Sequence, residues 1–70
     1  MNLNDIKIGN TVKVKKITGG PMTKLLAMGF TKGAPVKVIK KAPLKDPIEF
    51  EVRGYRISLR KAEAKYIEVE

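Results

Sequence analysis

The 70-residue sequence contains no cysteine, no histidine and no tryptophan. The absence of cysteine and histidine excludes a thiolate nucleophile, a disulfide framework, an imidazole base and the usual zinc and haem ligands. Two phenylalanines and two tyrosines are the only aromatic residues, which argues against a groove for proline-rich peptides. No apolar run approaches the ~18 residues of a membrane span, and the N-terminus does not resemble a signal peptide. We therefore expect a soluble, cytoplasmic protein.

Acidic residues are scarce in the first two thirds of the chain. Residues 1–45 hold ten lysines against one acid, Asp5, a balance of +9, whereas residues 46–70 hold five basic and six acidic residues. This excess could favour nucleic acid, an anionic membrane surface or an acidic protein partner. It could equally consist of solvated strand faces that keep the protein soluble. The sequence leaves these alternatives open.

The length limits the chain to one domain, residues 1–70. A chain of this size buries only ~60% of the surface that its unfolded form exposes, which leaves hardly any room for a deep catalytic pocket. Asp46, Glu49 and Glu51 lie close in sequence, but the strand pattern places the two glutamates on a solvated face. No histidine is present to activate a hydroxyl. We therefore predict that the protein is not an enzyme and has no cofactor. No residues are assigned to a metal site, and the sequence leaves open whether the chain binds Fe²⁺ directly.

A short helix is predicted between two strands. Thr11–Ile17 alternates apolar and basic residues as a half-buried strand does, and Pro35–Lys41 begins a second strand. Between them, apolar residues recur at helical spacing after Pro21. Gly29 stands where a left-handed helix cap is expected, with an apolar residue after it. Because the glycines here lead from a helix into a strand, they are not a phosphate-binding loop, which leads from a strand into a helix.

A β-hairpin is predicted around Arg53-Gly54, within the segment IEFEVRGYRISL. Its register places Val52 opposite Tyr55 on an apolar face, so that Tyr55 should point inward. On the polar face Glu51 lies opposite Arg56, an attractive cross-strand pair. A helical turn over residues 60–65 and a last short strand over residues 66–69 follow. Five short strands with one helix after the first predict a mainly β fold, closed into a small barrel to protect its edges.

The order of these signals resembles the FeoA family along essentially the whole chain. The opening LNDIKIGNTVKVKKI, the middle GGPMTKLLAMGFTKGAPVKVI and the later DPIEFEVRGYRISLRKAEAKYIEV each resemble the family pattern, in a single register. One departure is Lys32, where the family often has a proline before the glycine; here Pro35 follows instead. Gly33 should preserve the turn.

The resemblance implies an SH3-like β-barrel with an inserted helix and a role in bacterial ferrous iron uptake. FeoA proteins are small cytosolic accessory proteins of the membrane transporter FeoB, and the contact would be its cytoplasmic GTP-binding domain or its membrane part. The family offers no agreed catalytic or iron-ligand motif. The same module occurs at the C-terminus of iron-dependent repressors, but a chain that begins at its own methionine fits the stand-alone form.

We expect a docking surface on the helix and the turn after it. Most of the helix's apolar residues should belong to the core, with one or two left exposed beside Lys24. The predicted contact residues are Met22, Lys24, Leu25, Leu26, Phe30 and Lys32, with Arg53 and Arg56 as second-tier candidates on the hairpin.

The alternative function is that of a basic barrel that binds nucleic acid. The strand lysines at positions 13, 15, 37, 40 and 41 could follow phosphates. Single-strand binders normally add aromatic residues on which bases stack, and the predicted hairpin points its aromatic residues inward. This weakens the nucleic-acid hypothesis without removing it.

Overall fold

A computed structural model describes all residues, 1–70. Five strands and two short helices alternate with two 3₁₀ turns along the chain. In order they are a turn at Leu3–Asp5, β1 Thr11–Ile17, α1 Met22–Ala27, β2 Pro35–Lys41, a turn at Pro43–Lys45, β3 Ile48–Val52, β4 Tyr55–Leu59, α2 Lys61–Ala64 and β5 Ile67–Val69. The predicted strand count and the helix after the first strand are confirmed.

The five strands form one antiparallel sheet in the order β4-β3-β2-β1-β5. The ladder does not close, because β4 and β5 lie at its two ends and do not pair with each other. The fold is therefore mainly β, and the predicted closed barrel is correct only in a loose sense. Two register shifts, one between β1 and β5 and one between β2 and β3, allow the sheet to bend.

The core consists entirely of apolar side chains, and the period-two alternation of the strands supplies most of it. Val36 and Val38 on β2 and Phe50 on β3 are fully buried, as the pattern predicts. Phe50 meets Phe30, which follows α1, in an edge-to-face arrangement with ring centroids 6.3 Å apart. The buried set is Leu3, Ile6, Val14, Leu25, Phe30, Ala34, Val36, Val38, Ile48, Phe50, Val52, Leu59, Ala64, Ile67 and Val69.

The N-terminal contribution to the core was not predicted. Asn2 caps the first 3₁₀ turn by accepting a hydrogen bond from the Asn4 amide at 2.8 Å, while the Asn2 amide donates to Asp5 at 3.0 Å. This reciprocal cap fixes the turn so that Leu3 and Ile6 both point into the core. A three-residue turn is too short to carry a recognisable periodicity.

The hairpin register is confirmed, with Val52 opposite Tyr55 and Glu51 opposite Arg56. Two side-chain expectations were wrong. Tyr55 is 74% exposed rather than inward, because it stands at the turn end of an edge strand that nothing covers. Arg56 Nη1 donates to Glu49 Oε2 at 3.0 Å instead of pairing with Glu51. Diagonal neighbours on one face of a sheet lie within reach of a side chain as long as arginine.

Candidate docking surface

Helix α1 divides its apolar side chains between the core and the solvent. Leu25 is fully buried, whereas Met22 and Leu26 are 43% and 45% exposed. The two exposed residues are four positions apart and therefore lie side by side on one face of the helix. The predicted role of Leu25 in a docking surface is thus corrected, since a buried side chain cannot contact a partner. The expectation that one or two apolar residues of the helix stay exposed agrees with this placement.

The end of α1 is a Schellman cap. The amide of Phe30 donates to the Leu25 carbonyl at 3.2 Å, and the amide of Gly29 donates to the Leu26 carbonyl at 3.0 Å. Gly29 has a φ of +105°, as the predicted left-handed cap requires. Phe30 turns back beneath the helix and is fully buried. Its predicted place in the docking surface is therefore also corrected.

The turn after α1 touches the tip of the hairpin. A Cβ added at Gly29 would lie 3.2 Å from Val52 Cγ1 and 3.5 Å from Arg53 Cδ. Two residues after Gly29, Thr31 Oγ1 accepts a hydrogen bond from Arg53 Nη2 at 2.7 Å. The structure thus brings Arg53, which sequence reasoning ranked second, into the same surface as the helix end.

Lys24 is held on another side of the helix. It lies two positions after Met22, which is about 200° around an α-helix, and its ammonium pairs with Glu63 Oε2 at 2.8 Å. Glu63 also accepts from the backbone amide of Arg60 at 3.1 Å. The hydrogen bond from Lys24, followed by that from the Arg60 amide, holds the pKa of Glu63 below its ordinary value. Lys24 therefore ties α1 to α2 and does not join the exposed apolar pair.

Arg56 lies apart from the helix. Its guanidinium is bound to Glu49 on the outer face of the sheet. Glu49 in turn lines a shallow pocket of about 320 Å³ between the end of β2 and β4. Lys32, by contrast, is exposed in the turn after α1.

We call four exposed residues the helix surface: Met22 and Leu26 on α1, Lys32 in the turn that follows it, and Arg53 at the hairpin tip that this turn contacts. Met22 and Leu26 are apolar, and the flexible thioether of methionine adapts to irregular apolar partners. Lys32 and Arg53 carry positive charge. Such an arrangement can bind a protein surface that combines an apolar contact with carboxylates.

Four further apolar residues are exposed without having been predicted to be so: Met1, Ile8, Leu44 and Tyr55. Leu44 is 95% exposed at the tip of the loop between β2 and β3, with a φ of 66°. Tyr55 stands at the turn end of β4. Proline on both sides of the loop at 42–47 gave a signal for a turn, but no local pattern shows that a leucine lies at its tip.

Five of the seven acidic side chains make hydrogen bonds or ion pairs within the fold, and only Glu51 and Glu70 make none. Asp46 accepts from the Lys61 amide at 2.9 Å, Glu49 binds Arg56 at 3.0 Å, and Glu63 binds Lys24. No three acidic side chains come together in a cluster that could hold a metal ion. Neither helix is long and apolar enough to cross a membrane.

Comparison with known proteins places the chain among FeoA proteins. The model of the FeoA domain matches residues 1–70. An Fe(2+) transport protein A/Fe(2+) transporter FeoB fusion protein of Porphyromonas gingivalis is 33% identical over 72 residues, which cover 100% of this chain. The chain spans only 8% of the length of that fusion protein.

Solved structures agree in fold over the full chain. The NMR structure of a FeoA-like protein from Clostridium acetobutylicum is 42% identical with a TM-score of 0.91, covering 100% of this chain and 84% of that one. The crystal structure of Stenotrophomonas maltophilia FeoA complexed with zinc is 26% identical with a TM-score of 0.88, covering 100% and 89%. That protein is described as a prokaryotic SH3 domain protein and a suggested ferrous iron transport activating factor.

Proposed function

This chain belongs to the FeoA family, which is linked to ferrous iron transport, and we propose that it docks on a FeoB-type transporter and modulates it. The Porphyromonas gingivalis protein supports this choice of partner, since one polypeptide there joins an Fe(2+) transport protein A to FeoB. A covalent link holds two modules at a high effective concentration, which favours modules that act on each other. FeoA proteins are accessory proteins with an SH3-like fold rather than enzymes. The proposed action is accordingly binding, in the cytoplasm, without a chemical step.

The observation that carries the choice of surface is the exposure of Met22 and Leu26, side by side on α1. Positive charge is supplied by Lys32, in the turn after α1, and by Arg53, which binds Thr31 of that turn. Two apolar side chains with a charged rim form a small contact, which is typical of transient association rather than of a permanent complex.

The test is an NMR titration of the labelled protein with the soluble GTP-binding domain of its transporter. Shifts confined to the helix surface would support the proposal. Leu26→Glu should weaken binding at least tenfold, because it places a carboxylate in the apolar contact while leaving the core intact. Leu44→Glu is the matched control, since it adds the same charge at a residue that is 95% exposed on a distant loop, and it should bind within twofold of the wild type.

Wild-type affinity for Leu26→Glu would remove the helix surface from the proposal. If the protein binds neither the GTP-binding domain nor the whole transporter in a lipid nanodisc, the transporter is not its partner and the proposal is wrong. A short single-stranded RNA titrated at two salt concentrations tests the nucleic-acid alternative. RNA binding that falls log-linearly with salt would support that alternative.

A further inference from the structure

The two edge strands of the sheet differ, because another segment of the chain covers β5 but not β4. At β5 the N-terminal segment lies alongside the strand, with a bridge between Asn2 and Glu68 and a 2.9 Å hydrogen bond from the Val69 amide to the Met1 carbonyl. At the opposite edge, β4 pairs with β3 and with nothing else. An uncovered edge strand is a template for pairing with another chain.

Strand β4 lacks most of the usual features that blunt an edge, and Arg56 is its only charged residue. Its five residues pair with β3 in unbroken register, without the bulges seen in the other two irregular ladders. It contains no proline and no lysine. Val52 and Tyr55 flank a two-residue turn as a hydrogen-bonded pair, and such pairs alternate along the ladder. The amide and carbonyl groups of Arg56 and Ser58 therefore point outward from the sheet.

The side chains along this edge have a distinct chemistry. The sequence has three arginines, and all three lie between positions 53 and 60, whereas the twelve other basic residues are lysines. Arginine presents a rigid fork of donors that matches a carboxylate, which lysine does not. No acidic residue occurs from Arg53 to Arg60. On the inner face, Tyr55 is exposed and Ile57 is half-buried.

The outer face beside the edge continues this pattern. Ser58 lines the shallow pocket described above, together with Lys40 and Lys41. Lys40 makes no side-chain hydrogen bond or ion pair, so its charge is free. A side chain on an added strand next to Ser58 would point toward this pocket, since residues on one face of neighbouring strands lie side by side.

We propose that the free edge of β4 binds an extended segment of a partner protein in which acidic and apolar residues alternate. The segment adds a sixth strand by exchanging backbone hydrogen bonds with Arg56 and Ser58. Its acidic side chains lie on the outer face beside Arg56, which donates through Nη1 to Glu49 and keeps its other guanidinium donors. Its apolar side chains cover Tyr55 and Ile57 on the inner face. The site is separate from Met22 and Leu26 and does not depend on the identity of the transporter.

The probe is a blocked peptide with four Glu-Val repeats, and the matched control is the peptide with Lys in place of Glu. The labelled full-length protein should bind the glutamate peptide, with slowed amide hydrogen exchange at Arg56 and Ser58. Those two amides point outward, and only strand addition gives them a new acceptor. Binding without their protection, or no binding at all, would overturn the proposal.

Two variants separate backbone pairing from charge. Ser58→Pro removes one outward-pointing amide donor without breaking the β3–β4 ladder, and it should weaken binding of the glutamate peptide at least tenfold. Ser58→Ala keeps this donor, and its affinity for the peptide should stay within twofold of the wild type. Arg56→Glu keeps every backbone donor and should reverse the peptide preference, so that the variant binds the lysine peptide and no longer binds the glutamate peptide. If Ser58→Pro does not fold, this reversal still decides the matter. If Arg56→Glu still prefers the glutamate peptide, the charge argument is wrong. If the Arg56 and Ser58 amides are protected from hydrogen exchange without peptide and in proportion to protein concentration, the edge of β4 binds a second copy of this chain instead.

Discussion

Replacing Gly29 with alanine tests the close approach between the helix end and the hairpin. Gly29 has a φ of +105°, where a residue with a Cβ is strained by about 1–2 kcal/mol. The new methyl would also lie 3.2 Å from Val52 Cγ1. Val52 is fully buried among other core residues and must shift by a few tenths of an ångström, so we expect this contact to add about 1 kcal/mol, the lower end of the cost of overpacking. The expected loss in the free energy of unfolding is therefore about 2–3 kcal/mol.

Gly33→Ala is the matched control for this variant. Its φ is +83°, which imposes a similar backbone strain, but nothing lies within 4 Å of the added Cβ. It should cost only the strain, about 1–2 kcal/mol. The assay is urea denaturation followed by circular dichroism, with both variants compared with the wild type. If Gly29→Ala is no more destabilising than Gly33→Ala, the close contact with Val52 has no energetic consequence and the reasoning is refuted.

Two further predictions concern the helix and its ion pair. Leu25→Ala should lower the free energy of unfolding by about 2–5 kcal/mol and Leu26→Ala by less than about 1 kcal/mol, because only Leu25 is buried; equal losses in urea denaturation would contradict this assignment. The lowered pKa of Glu63 means that its bond to Lys24 stabilises the fold above the ordinary glutamate pKa of about 4.3, and that this stability is lost as the pH falls through the lower folded value. The assay is the urea midpoint measured from pH 7 to pH 3. Glu63→Gln should be less stable than the wild type at pH 7 and should lose less stability on acidification, whereas the control Glu51→Gln should be indistinguishable from the wild type. Parallel stability curves for the wild type and Glu63→Gln would refute the link between this ion pair and the pH dependence of stability.

Local signals predicted most of the architecture. The two-residue periodicity of the strands identified their buried faces, since a half-buried strand must alternate. Arg53-Gly54 set the hairpin register, because a two-residue turn leaves no freedom in the pairing of its flanking strands. Gly29 marked the helix end correctly, since the Schellman cap requires a residue that tolerates positive φ. These features depend on neighbours in sequence, and the sequence contains them.

The details of the docking surface could not be predicted in the same way. Leu25 and Leu26 are adjacent and chemically identical, and only the position of a six-residue helix above the sheet decides which one is buried. Arg56 had two acidic residues within reach, and the shape of the sheet selected Glu49. Tyr55 shares the apolar face of the hairpin yet lies beyond the area that other elements cover. Each outcome depends on contacts between distant segments, which no local pattern records.

The pairing of β1 with β5 has a consequence for the folding of the domain. Val14 pairs with Val69 and Ile17 with Ile67, so the ladder joins residues about fifty positions apart. Closing so long a loop is slow, and a newly synthesised domain keeps one side of β1 unpaired until its final element has emerged from the ribosome. We therefore expect β5 to pair with β1 late in folding, and until it does one edge of β1 is unpaired and open to pairing with another chain.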